Sequence, residues 1–133
     1  MERAQVLYAI LDDVYQGQSP WSLTQIEADL NKPDTDCFVA MADGEMVGFL
    51  TIQDLVGELE ITNIAVKSSY QGRGLADQLM ANLADLDQPI FLEVRASNQA
   101  AQRLYIKHGF VAVGNRKNYY HNPTEDAVVM KRG

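Results

Sequence analysis

The chain has 133 residues, 47% hydrophobic and 22% charged, with a net charge of −7. That length suits one domain (residues 1–133) burying roughly two-thirds of its unfolded surface. The acidic balance argues against a nucleic-acid partner, which asks for a basic face. Acidity instead favours attraction of a basic peptide or amine, although it also serves solubility alone. The single cysteine, Cys37, can form neither an internal disulfide nor a metal cluster, and no metal is expected. No apolar run approaches membrane-spanning length, and Met1-Glu2-Arg3 does not read as a signal peptide. A reducing, cytoplasmic setting without membrane association is expected.

Val6, Leu7, Ile10, Leu11 and Val14 share one face of a helix over residues 4–15, which Gly17 and Pro20 end. Ser22 or Thr24 caps a second helix carrying Leu23, Ile26 and Leu30, stopped by Pro33. Cys37 to Met41 reads as a strand, Asp43-Gly44 as a two-residue hairpin turn, and Met46 to Ile52 as the returning strand. A third strand, Glu58 to Val66, runs into a loop with two glycines. Leu75, Leu79, Met80, Leu83 and Leu86 then stripe a helix. Pro89 precedes a short apolar strand, Ile90 to Val94, suited to a sheet interior. Ser97 or Asn98 caps a helix holding Ala101, Leu104 and Tyr105 and ending at Gly109. Phe110 to Val113 and Ala127 to Met130 read as closing strands, joined by a polar and aromatic segment, Asn115 to Asp126. The order implies an α/β architecture, a mixed sheet with flanking helices.

The strand end Ile64-Ala65-Val66, the loop around Gly72 and Gly74, and the helix after it organise the reading of function. Glycines let backbone N–H groups converge on one point. The helix start adds unpaired N–H groups and a positive dipole end. Such an arrangement binds anions, phosphates above all, so a nucleotide-bearing ligand is expected.

Gln71-Gly72-Arg73-Gly74-Leu75-Ala76 resembles the Q/R-x-x-G-x-G/A signature of the GNAT superfamily of acetyl-CoA-dependent N-acetyltransferases. Leu92-Glu93-Val94-Arg95-Ala96-Ser97-Asn98, Tyr105-Ile106-Lys107-His108-Gly109-Phe110, and Asn118-Tyr119-Tyr120 with Glu125-Asp126-Ala127 narrow the likeness. Together they are similar to the bacterial ribosomal-protein-alanine N-acetyltransferases (RimI-type). The resemblance covers nearly everything after Pro20. It implies a GNAT fold, a mostly antiparallel mixed sheet between helices. The family's first strand is expected to be missing here, which leaves a sheet edge to be protected. Asp77, in the first turn of the glycine-loop helix, departs from the basic or small residue usual there. Its carboxylate would repel a bound pyrophosphate unless it points away.

By resemblance, Glu93 takes the proton from the amine. Its bland alternative is an ion pair with Arg95, two residues along the same strand face. Glu60 is a rival base, since some superfamily members carry it on the strand before the glycine loop. Tyr105 is the acid that protonates the coenzyme thiolate; a core aromatic is its bland role. Ile64, Ala65 and Val66 hold the pantetheine arm by their backbone. Gln71, Gly72, Arg73, Gly74, Leu75, Ala76 and Asp77 form the pyrophosphate cradle. Asn98 hydrogen-bonds the coenzyme and can cap its helix as well. Trp21, Asn118, Tyr119 and Tyr120 border the acceptor, with packing beneath a loop as the alternative.

The resemblance implies transfer of an acetyl group from acetyl-CoA to a protein N-terminal α-amine, the alanine of a small-subunit ribosomal protein. A small amine or lysine acceptor, and a weakly catalytic coenzyme-binding module, are the other readings. Oligomeric state is left open between a monomer and a weak dimer.

Overall fold

A computed structural model describes residues 2–133. Its first element is α1 (Arg3–Val14), which buries Ala4, Leu7, Ile10 and Leu11 on one face. Glu2 and Gln5 exchange side-chain and backbone hydrogen bonds at its start, satisfying N–H groups that the helix leaves unpaired. Ser22 and Gln25 do the same for α2 (Leu23–Leu30). There follow β1 (Thr35–Ala42), β2 (Glu45–Asp54), β3 (Leu59–Val66), α3 (Leu75–Ala81) and β4 (Ile90–Arg95). The chain closes with α4 (Gln99–Lys107), β5 (Val111–Tyr120) and β6 (Glu125–Arg132). Among the described residues no strand precedes α1. The Asp43-Gly44 turn has φ of 52° and 77°, both positive, which matches the right-handed twist of the hairpin it joins.

The six strands form one sheet in the order β1-β2-β3-β4-β6-β5, antiparallel except between β3 and β4. The expected mixed, mostly antiparallel sheet between helices is what the chain forms. One sheet face packs Leu50, Ile52, Leu59, Ile61, Ile90 and Leu92 against α3 and α4. The other carries Phe49 and Ala65 beneath α1 and α2. Those two helices cover only the β1–β3 half of their face. On β4 the residues alternate, with Ile90, Leu92 and Val94 buried and Phe91, Glu93 and Arg95 partly exposed on the uncovered half.

Two elements differ from expectation. Helix α3 stops at Ala81, and Leu83 and Leu86 lie in the turns beyond it. The Asn82 amide donates to the carbonyls of Gln78 and Leu79, competing with continuation of the helix. Arg132 then donates to the carbonyls of Leu83 and Leu86 at 2.8 and 2.6 Å, holding the unwound turn. Residues 115–120 belong to β5 rather than to a connection, and only four residues, 121–124, turn back into β6. As an edge strand β5 is exposed along most of its length, so it lacks the apolar alternation that marks a strand.

Strands β3 and β4 pair only at Leu59–Ile90 and Glu60–Phe91. Beyond those residues they part, and the β3 edge from Ile61 to Val66 has no strand partner on that side. Gly48 of β2 lies opposite Val66 on its other side. A Cβ there would stand 3.1 Å from the Ala65 carbonyl oxygen and from the Val66 side chain. Gly48→Ala is therefore expected to push β3 outward and destabilise the fold by about 1–3 kcal/mol, as overpacked cores do. Thermal unfolding checks this; an unchanged midpoint would mean that Val66 simply gives way.

Candidate functional site

The uncovered half of the sheet face forms a cleft of about 160 Å³, lined by Glu60 of β3, Phe91 and Glu93 of β4, Arg116 of β5 and Val129 of β6. Strand pairing explains the gathering. Glu60 opposes Phe91, Glu93 opposes Val129, and Val129 opposes Gly114, which presents no side chain. Arg116 can therefore lie across β6 and bring its Nε to 3.2 Å from Glu93 Oε2. That oxygen is buried, yet no donor makes an aligned hydrogen bond to it. Burial and the Glu93 charge raise the pKa of Glu60, and Arg116 partly opposes them. The Glu93–Arg95 ion pair does not form. Arg95 instead donates to the carbonyls of Pro123 and His121, each at 3.1 Å, and lies over the Tyr120 ring. It holds the β5–β6 turn.

Asn118 bulges β5, with φ of 53° and its N–H donating to Asp126 at 2.9 Å. The bulge breaks the strict alternation of side chains, so the Tyr119 and Tyr120 rings meet edge to face at 5.0 Å. Burial and the nearby Glu93 charge raise the Tyr119 pKa. The same two causes push Tyr120 up to about 12. Both tyrosines thus belong to the surroundings of Glu93. Trp21 is placed otherwise, half-buried beside Leu7, Ile26 and Phe49 in the α1–α2 core.

Tyr105 of α4 is 6% exposed, on the α3–α4 side of the sheet, with its ring 6.0 Å from Phe110. Burial raises its pKa well above the ordinary phenol value, and Tyr15 and Tyr120 add to the effect. It stays protonated and can donate. Glu93 lies on the uncovered sheet face and Tyr105 on the helix packed against the other face, and β3 and β4 part beyond Glu60–Phe91.

Along that opening lies the glycine loop. Gln71 Nε2 donates to the Val66 carbonyl at 2.9 Å and fastens the loop to the end of β3. Gly72 and Gly74 have φ of 81° and 79°, where side-chain-bearing residues are strained, and nothing stands within 4 Å of either Cβ position. Gly74 caps α3, with Leu75 buried and Ala76 half-buried behind it. Arg73 stacks on Tyr70 at 4.9 Å, and the Tyr70 hydroxyl reaches Asp43 and Glu45 of the β1–β2 hairpin.

Asp77 binds His108 at 2.8 Å and Lys107 at 3.1 Å. Those hydrogen bonds hold its carboxyl below the usual range. Its carboxylate is therefore turned to the end of α4 and paired there with Lys107. Asn98 Oδ1 accepts from the Ala101 N–H at 3.1 Å, an N-cap, and the residue remains exposed.

Arg116 and Tyr15 were not singled out from the sequence. Reading residues 115–120 as a strand would have set Arg116 on the sheet face of Glu93. For Tyr15, the residue ending α1, local sequence offers no signal. Together the site offers a carboxylate on the uncovered sheet face, a buried phenol on the helix covering the other face, and a strand edge without a strand partner leading to a glycine loop.

The model of the acetyltransferase (GNAT) family matches residues 4–110. The chain is 34% identical over 125 residues to the N-alpha-acetyltransferase RimI of Mycobacterium tuberculosis, with 90% of this chain and 79% of that protein covered. The crystal structure of the ribosomal-protein-S18-alanine N-acetyltransferase from Escherichia coli overlays with a TM-score of 0.88 at 31% identity, over 99% of this chain and 89% of that one. A GNAT family acetyltransferase from Elizabethkingia anophelis, solved with acetyl-CoA bound, shares the fold. Its TM-score is 0.70 at 22% identity, over 84% of this chain and 82% of that one.

Proposed function

Because this chain belongs to the GNAT acetyltransferase family, we propose that it acetylates the N-terminal alanine of a small-subunit ribosomal protein in the cytoplasm. GNAT enzymes use acetyl-CoA, and the residues present fit it. The Ile64–Val66 backbone edge has no strand partner on the β4 side, the Val66 carbonyl being taken by the Gln71 side chain, and the space above Gly72 and Gly74 is open. Gln71 to Ala76 would hold the pyrophosphate, and Ile64 to Val66 the arm. Asp77, bound to His108 and Lys107, would not oppose it.

The reading is supported by Glu93 on the uncovered sheet face, Tyr105 on the helix covering the other face, and the parting of β3 and β4 beyond Glu60–Phe91. When bound, acetyl-CoA supplies a thioester acetyl group for attack by a neutral amine. Glu93, whose buried Oε2 makes no aligned hydrogen bond, receives a proton from the acceptor ammonium, directly or through water. An α-amine has an ordinary pKa of about 8 against about 10.4 for lysine, so an N-terminal acceptor asks less of this base. Tyr105 keeps its proton in reserve for the departing sulfur. Tyr119 and Tyr120 flank Glu93 and would border the acceptor; Asn118 shapes that wall.

The test is thiol release from acetyl-CoA with three acceptors: a free alanine-initiated peptide, an N-blocked peptide carrying lysine, and a small polyamine. Turnover on the first alone is expected. Turnover only on the polyamine or the lysine would overturn the acceptor assignment. Coenzyme binding with no turnover on any acceptor would make the protein a binding module.

A further inference from the structure

Glu93 Oε2 presents a contradiction that the proposed chemistry leaves unexplained. It is buried and lies 3.2 Å from a guanidinium nitrogen, yet it makes no aligned hydrogen bond. The two side chains are also unequally hydrated, Arg116 being 59% exposed and Glu93 20%. A guanidinium that keeps most of its water is held loosely and leaves at little cost. Other cations near the cleft are engaged elsewhere, Arg95 on two carbonyls and Tyr120, and Lys131 over Phe91 at 5.4 Å. Among the described residues, Arg116 is therefore the cation that Glu93 has.

We propose that Arg116 is a positioning residue that holds the place of the acceptor ammonium in the empty enzyme and yields it when the acceptor binds. This rests on the acetyltransferase reading of the cleft. Glu60 and Glu93 bring two carboxylates into one small space, and burial makes their repulsion costly. A cation is needed to temper them whether or not an acceptor is present. An ammonium brings three N–H donors on a compact head, which can meet the oxygen that the guanidinium approaches without bonding. The displaced guanidinium has a waiting partner, since it already lies 5.5 Å from the centre of the Tyr119 ring. From there it still tempers the carboxylates, so the bound ammonium can give up its proton to Glu93.

The sign of the effect separates this role from ordinary ones. Arg116→Gln removes the competitor and leaves the cleft more negative. Binding of an alanine-initiated peptide to the coenzyme A-loaded protein, read by calorimetry, is expected to tighten about threefold, the scale of an exposed ion pair. The same peptide with an acetylated N-terminus should bind the two proteins equally. In turnover KM should fall and kcat should fall with it, because uncompensated carboxylates hold the ammonium proton more firmly. Arg116→Lys should restore both values towards those of the parent. Weaker peptide binding in Arg116→Gln would overturn the proposal in favour of a direct acceptor contact, and unchanged binding would reduce Arg116 to a surface pair. If the parent protein acetylated no peptide, the acetyltransferase reading would fail, while the calorimetric comparison would still decide the role of Arg116.

Discussion

Glu93→Gln is expected to lower kcat by about 10²- to 10⁴-fold, the range that a positioned general base contributes. Glutamine keeps the shape of glutamate, and the side chain is partly exposed, so folding should be little affected. What disappears is the acceptor for the amine proton, together with the partner of Arg116. Acetyl-CoA affinity should hold, because Glu93 lines the cleft and is not part of the glycine loop. Steady-state kinetics with calorimetry of coenzyme binding checks both halves. Glu60→Gln provides the internal control. Glu60 lines the same cleft, but at the point where β3 and β4 still pair, away from the opening. Its loss should cost less than that of Glu93. A larger loss of kcat in Glu60→Gln would move the base to β3.

Tyr105→Phe is expected to lower kcat by about 10²-fold, at the lower end of the same range, because a thiolate is a tolerable leaving group without a proton. The ring stays in the α4 core beside Phe110, so the melting temperature should barely move. Tyr105→Ala separates packing from chemistry, since it opens a cavity and should destabilise by about 3–5 kcal/mol. The pH dependence carries a sign. Burial raises the Tyr105 pKa above the ordinary value of about 10, so the acid remains protonated through the usual assay range. Loss of activity in the parent on the alkaline side below about pH 10 should therefore persist in Tyr105→Phe. Its disappearance in the variant would show that Tyr105 ionises in that range.

Much of the frame was readable from short stretches of chain. The Asp43-Gly44 turn, the capped starts of α2 and α4, and the two loop glycines each depend on a handful of neighbouring residues. Ile90 to Val94 was legible as an interior strand, and Glu93 stood out as a charge within it. The limits of β5 were not legible, because an exposed edge strand draws its hydrogen bonds from β6 and leaves its side chains in water. Helix α3 was read too long for a related reason. Leu83 and Leu86 continue its apolar spacing, but the Asn82 amide and the distant Arg132 set where it unwinds.

The same division runs through the site. Backbone conformation and amphipathic spacing are local properties, so the glycine loop, the strand bearing Glu93 and the helix bearing Tyr105 follow from nearby residues. Partnerships between distant side chains depend on register and packing. Sheet pairing carries Arg116 over Gly114 and Val129 to Glu93, and so the obvious neighbour Arg95 is not its partner. Helix packing brings Lys107 and His108 to Asp77, which pairs the charge that seemed to stand against a bound pyrophosphate. Electrostatic attraction acts through space and falls with distance, not with separation along the chain. The sign of each charge is written in the sequence, but only the fold settles which charge it meets.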